Sequence, residues 1–267
     1  MKASFLVAAP MSGSGKTTIA RGLMALLRQK GYRVQPFKCG PDYIDTKFHA
    51  SVCGRPSVNL DTFMATPEHV QELFERYGAD ADVCIVEGMM GLFDGYDRER
   101  GSAYEIARVL GIPVVLVVDA RSAAYSMAAL LSGFIHFRED ISFAGVIFNK
   151  VGSERHYAML RQVCHDLSVA CLGYLPRTAS LEQGSRYLGL DFSQQAETAS
   201  LVHLLEQHVD WHHIVGEASK LCVVGEASKL CKVGEVSKLC EVGEASKLCE
   251  VGEASKLCVV GEASKLC

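Results

Sequence analysis

An apolar run from Ser4 to Ala9 passes directly into Pro10-Met11-Ser12-Gly13-Ser14-Gly15-Lys16-Thr17-Thr18, and then into a stretch with Ile19, Leu23, Leu26 and Leu27 at helical spacing. Strand, glycine-bearing turn and amphipathic helix in that order form the context of a phosphate-binding loop. Further apolar, β-branched runs at Arg33 to Phe37, Val83 to Val86, Pro113 to Val118 and Ala144 to Phe148 read as buried strands, and helical patterns separate several of them. Thr66-Pro67 reads as a helix cap with proline at the first helical position, and Ser102 with Glu105 reads as a capping box. The expected fold is therefore α/β, with a mainly parallel sheet flanked by helices.

The loop carries its own chemistry. Gly13 and Gly15 allow the backbone to turn its N–H groups, with those of Ser14 and Thr18, toward phosphate oxygens. Lys16 adds a point charge beside the β and γ oxygens, and the Thr17 hydroxyl is a magnesium ligand. Pro10 stands where such a loop usually has its first glycine. Glu87 ends the apolar run Val83-Cys84-Ile85-Val86, where a carboxylate serves magnesium or orients water. A second loop, Phe37 to His49, is dense in charged and aromatic residues; Asp42 is its candidate metal ligand, and Lys38, Lys47 or Arg55 its candidate contacts for an anionic substrate.

The formal net charge of −4 leaves no general basic surface for nucleic acid, so any anion site is local. No apolar stretch is long enough to span a bilayer and the N-terminus lacks a cleavable-signal pattern, so the expected address is cytoplasmic with no membrane partner. Cys39, Cys53, Cys84, Cys164 and Cys171 sit among apolar neighbours as reduced core thiols do. From Val215 onward the chain becomes six near-identical copies of Val-Gly-Glu-Ala-Ser-Lys-Leu-Cys, each separated by one residue. A nine-residue period gives neither a helix nor a strand a single buried stripe. The expectation is a domain over 1–214 and a disordered or irregular repeat tail over 215–267.

Three segments together resemble the cobyrinate a,c-diamide synthase family: Ala8 through Thr18, Gly40-Pro41-Asp42-Tyr43-Ile44-Asp45, and Glu87-Gly88-Met89-Met90-Gly91-Leu92-Phe93-Asp94-Gly95. The likeness continues through Gly145 to His156 and fades after Leu172 to Arg177 and Leu188-Gly189-Leu190. It implies a P-loop fold of the dethiobiotin synthetase type. It also implies ATP and magnesium as cofactors, with Lys16, Asp42 and Glu87 as catalytic residues, Thr17, Asp42 and Glu87 on the metal, and Asn149 at the adenine. Lys38, Tyr43, Ile44, Asp45, Asp94 and Ser102 would face a corrinoid polycarboxylate, and a homodimer is compatible with the family. Thr46 and Ala103-Tyr104 depart from the family pattern, which touches substrate detail rather than reaction class.

The implied reaction in cobalamin biosynthesis is ATP-dependent amidation of the a- and c-carboxylates of cobyrinate through acyl phosphates. Relatives continue into a glutamine amidotransferase domain where this chain has its repeat, so ammonia is the expected nitrogen source, and glutamine only with a glutaminase domain or subunit. Two alternatives stay open at this level: an a,c-diamide synthase for another tetrapyrrole, and a non-enzymatic P-loop switch ATPase. Switch ATPases of that kind carry a second, earlier loop lysine, and Met11 occupies that region here.

Overall fold

The computed structural model describes residues 2–177 and 193–230. Leu188-Gly189-Leu190 and the repeat copies beyond 230 lie outside the described residues. Seven strands form one sheet: β1 (Ala3–Ala8), β2 (Val34–Cys39), β3 (Val58–Leu60), β4 (Val83–Glu87), β5 (Val114–Asp119), β6 (Phe143–Val151) and β7 (Cys171–Pro176). Their order is β3-β2-β4-β1-β5-β6-β7, and every adjacent pair is parallel. A parallel sheet needs both faces covered. Helices α1 (Lys16–Gln29), α2 (Asp45–Cys53) and α7 (Ser193–His208), with the start of α8 (Trp211–Leu230) as far as Ala218, cover one face. The other carries α3 (Pro67–Gly78), α4 (Ala103–Leu110), α5 (Met127–His136) and α6 (Glu154–Asp166).

The two-residue pleat sorts each strand between these layers. In β1, Leu6 and Ala8 enter the α3–α6 layer, whereas Ala3, Phe5 and Val7 enter the layer beneath α1. Helix α1 presents Ile19, Leu23, Leu26 and Leu27 to the sheet, as their spacing predicts, and all are buried. Thr66 caps α3 by accepting from the His69 N–H, with Pro67 in the first turn. The capping box at α4 differs from its usual form. Ser102 accepts from the Glu105 N–H at 3.3 Å, but the Glu105 carboxylate receives the Gly101 N–H at 2.6 Å, one residue before the cap, together with the Thr62 hydroxyl.

Two strands escape the sequence reading, so Val83 to Glu87 is the fourth strand rather than the third. β3 has only three residues, with Asn59 in the middle, and offers no apolar run. β7 is interrupted by Gly173, whose φ is +126°. A Cβ there would lie 2.0 Å from the His208 carbonyl oxygen, because the end of α7 approaches the strand backbone closely enough for Gly173 to bridge Val209.

The expected break at 214/215 is displaced. α8 begins at Trp211 and runs through the first repeat copy, and the compact unit extends over Met1–Cys222. Within that copy Ala218 is fully buried and Val215 packs partly against the α1 layer, beside Ile214 and Trp211. A repeat that lacks its own stripe still buries one face when a preceding helix sets its phase. A chain ending after Ile214 is expected to be about 2 kcal/mol less stable than one ending after Cys222, from the apolar area that Val215 and Ala218 bury. That corresponds to an unfolding temperature about 5 °C lower, read by thermal circular dichroism. Equal temperatures for the two would restore the boundary to 214.

Candidate functional site

Four strands of the parallel sheet deliver their C-terminal ends to one place, with β1 at the centre and β4 beside it. Open α/β sheets bind ligands outside such carboxyl ends. The loop after β1 turns through Gly13 (φ +81°) and Gly15 (φ +99°), and the Ser14 hydroxyl donates to the Met11 carbonyl at 2.9 Å. Gly15 caps α1 without any side-chain hydrogen bond, and the first turn of that helix has no acidic residue. The resulting N-terminus directs partial positive charge outward, the arrangement that anionic phosphate requires.

Two residues at the end of β6 brace this loop. The Asn149 amide donates to the Ser14 carbonyl at 2.9 Å, and Lys150, itself at φ +60°, reaches the Gly13 carbonyl at 3.3 Å and Asp119 at 2.9 Å. Asn149 is buried, and a Cβ on Gly15 would sit 2.1 Å from its amide nitrogen. Asn149 thus lies against the phosphate loop, with its amide N–H group committed to the loop backbone.

The centre of charge is Glu87, which has no solvent exposure. Alternation along β4 puts Val83 and Ile85 into the α1 layer, and Glu87 continues on that face. There its Oε1 accepts from the Thr17 hydroxyl at 2.6 Å and from the Lys38 ammonium at 3.0 Å, while Oε2 lies 2.6 Å from Nε2 of His49. Lys38 stands directly opposite Glu87 in the β2–β4 register and donates a further bond to Asp45 at 2.7 Å. Burial drives the Glu87 carboxyl upward, but the His49 hydrogen bond, the Lys38 charge and the Thr17 hydroxyl outweigh it and hold the carboxyl at about 2. Burial lowers the Lys38 ammonium, yet Glu87 and Asp45 overcome that and raise it above its ordinary value. Asp45, partly buried and repelled by Glu87, is shifted upward despite Lys38. Lys16 is also buried; it donates to the Met90 carbonyl, and desolvation lowers its pKa against the pull of Glu87.

Other expected residues are placed differently. Asp42 uses Oδ1 to accept the N–H groups of Ile44 and Asp45 at 2.8 and 2.9 Å, a turn that leads into α2; among the described residues no hydrogen bond or ion pair joins its carboxylate to Thr17 or Glu87. Tyr43 and Ile44 project into solvent at the rim. Asp94 accepts the Gly91 N–H at 2.9 Å and folds the loop after β4. Ser102 is buried as the cap of α4, and its hydroxyl donates to the Glu99 carbonyl at 2.6 Å. Lys38, expected to meet an anionic substrate, is enclosed between Glu87 and Asp45. His49 is the participant the sequence reading passes over. Its place four residues after Asp45 on one helix face was the available signal.

Removing one member of a buried ion pair strands the other. Glu87→Gln is expected to cost about 3 kcal/mol at neutral pH by denaturant unfolding. Because the folded carboxyl sits at about 2 against an ordinary 4.5, the parent's advantage is complete above 4.5 and is lost as pH falls toward 2. A gap between the two proteins that persists unchanged down to about pH 2 would show that the carboxylate charge is not its source.

Comparison with known proteins adds the following. The family described as "CobQ/CobB/MinD/ParA nucleotide binding domain" matches residues 5–190. The cobyrinate a,c-diamide synthase of Caldanaerobacter subterraneus subsp. tengcongensis is 50% identical over 188 residues, covering 70% of this chain and 41% of that protein. The hydrogenobyrinate a,c-diamide synthase of Mycobacterium bovis is 47% identical over 216 residues, covering 76% of this chain and 47% of its own length. The chain therefore spans less than half the length of these relatives. Among solved structures, the cell division ATPase MinD of Pyrococcus furiosus aligns with a TM-score of 0.48 at 16% identity, over 78% of this chain and 99% of that one.

Proposed function

We propose that this chain, which belongs to the CobQ/CobB/MinD/ParA nucleotide-binding domain family, activates carboxylate groups of a cobyrinate-type corrinoid with ATP so that ammonia can convert them to amides. The observation that carries the reading is the junction of the uncapped, glycine-turned α1 N-terminus with a wholly buried Glu87 that is hydrogen-bonded to Thr17. Identity of 50% and 47% to two a,c-diamide synthases, over 70% and 76% of the chain, supports the substrate class.

A carboxylate and ammonia merely exchange a proton, and oxide is a poor leaving group. Transfer of the γ-phosphoryl group removes that obstacle: a substrate carboxylate oxygen bonds to phosphorus as the bond to ADP breaks. Ammonia then adds to the acyl carbon, phosphate departs with the carboxyl oxygen, and the nitrogen loses a proton. Lys16 would exchange the Met90 carbonyl for the β and γ oxygens and stabilise the charge as it moves. The N–H groups of Gly13, Ser14, Gly15, Thr17 and Thr18 would hold the phosphates, and Asn149 the adenine side of the loop.

Magnesium suits the donors present, since Thr17, Glu87 and Asp42 offer hard oxygen ligands. Bound there, it would neutralise the phosphate charge. Tyr43, Ile44 and Asp94, on the loops after β2 and β4, and Asp45 at the start of α2 would meet the corrinoid. Among the described residues no helix is long and apolar enough to cross a membrane.

The test is to incubate the chain with ATP, magnesium, a corrinoid polycarboxylic acid and isotopically labelled ammonia, and to read amide formation by mass spectrometry. Two labelled amides per corrinoid are expected. Lys16→Ala is expected to lower kcat by about a hundredfold or more with an unchanged circular dichroism spectrum. ATP hydrolysis without any amide, across a panel of tetrapyrrole acids, would displace the proposal in favour of a switch ATPase.

A further inference from the structure

We propose that His49 is a positioning residue for Glu87: by donating from Nε2 to Oε2 it fixes the carboxylate plane so that Oε1 faces Thr17. The proposal rests on the reading of Glu87 as part of the magnesium and ATP site.

His49 and Glu87 are both without solvent exposure, and 2.6 Å separates Nε2 from Oε2. An ionised carboxylate only accepts hydrogen bonds, so Nε2 carries the proton. The second ring nitrogen, Nδ1, faces the Ser57 hydroxyl at 3.3 Å, on the segment leading into β3. Ser57, His49 and Glu87 thus form a row from the segment before β3 through α2 to β4, held at both ends of the imidazole. Ring and carboxylate are each restricted to one orientation.

The division of labour between the two oxygens gives the row its consequence. Among the described residues Oε1 receives two donors, Thr17 and Lys38, and Oε2 receives one, His49. Without that bond the buried carboxylate is held through Oε1 alone and can turn toward the Lys38 ammonium, which lies opposite in the strand register. The Thr17 hydroxyl would then lose its alignment at the first turn of α1. Outer residues that orient ligating groups typically change metal affinity by about 10- to 100-fold when removed.

The experiment compares His49→Gln, His49→Asn and His49→Leu in the full chain. Gln can place an amide N–H where Nε2 stands; Asn is too short to do so, and Leu fills the volume without a donor. The readout is the magnesium concentration at half-maximal ATP binding, measured by calorimetry without turnover, with unfolding curves confirming the folded fraction. Leu and Asn are expected to raise that midpoint about tenfold or more, and Gln to stay within about threefold of the parent. In the parent, ¹⁵N spectra should show His49 protonated at Nε2. A Leu or Asn midpoint equal to the parent's would overturn the proposal, as would Gln shifted as far as Asn. If Leu fails to fold, the contrast between Gln and Asn decides. Since binding is read apart from chemistry, a parent that binds magnesium and ATP but forms no amide counts against the functional reading alone.

Discussion

A carboxylate with no access to water has to be surrounded by donors, and the position of Glu87 at the end of β4 imposes that demand on everything nearby. One donor comes from the first turn of α1, one from the neighbouring strand β2 and one from α2. These elements meet only because β4 lies between β2 and β1 and because α1 and α2 cover the same face. The strand order and the charge site are two expressions of one requirement. Such a pair is not a source of net stability, since desolvation consumes most of the Coulomb gain; it specifies an arrangement.

The same arrangement explains why the site is rigid where phosphate would lie and open at its rim. Lys16, Lys38, His49 and Glu87 are all buried, while Met11, Tyr43, Ile44, Phe63, Met64, Met90 and Tyr96 stand exposed on the loops after β1 to β4. Phe63 and Tyr96 meet edge to face at 4.8 Å across two of these loops, which the Thr62–Glu105–Gly101 hydrogen bonds tie together. A preorganised charge layer thus lies below an apolar rim.

Much of the fold was legible because its signals are local. Five of the seven strands announce themselves by predominantly apolar runs, α1 by its spacing and α3 by Thr66-Pro67. What escaped reading depends on distant partners. β3 is a strand only because β2 offers it an edge, and β7 tolerates Gly173 only because α7 needs the room. Within the first repeat copy Ala218 is buried because α8 begins four residues before the copy, at Trp211, in the right phase. At the site, residue type singled out Lys16, Thr17 and Glu87 as candidates, whereas their mutual contacts were invisible. Lys38 read as a substrate cation because nothing local shows that its side chain lies opposite Glu87. His49 was passed over because its partner is thirty-eight residues away.

Asn149 occupies the space that a side chain at position 15 would need, and its amide holds the loop that Gly15 turns. The phosphate loop is therefore specified by two places in the chain, one of them outside any loop motif. Room is only half of the constraint, because the backbone at Gly15 also lies at φ +99°, where an L side chain is strained whatever space it is given. Shortening Asn149 would free the volume but not the conformation, and would leave the Ser14 carbonyl without its amide donor. The loop is thus locked twice over, once by crowding and once by handedness.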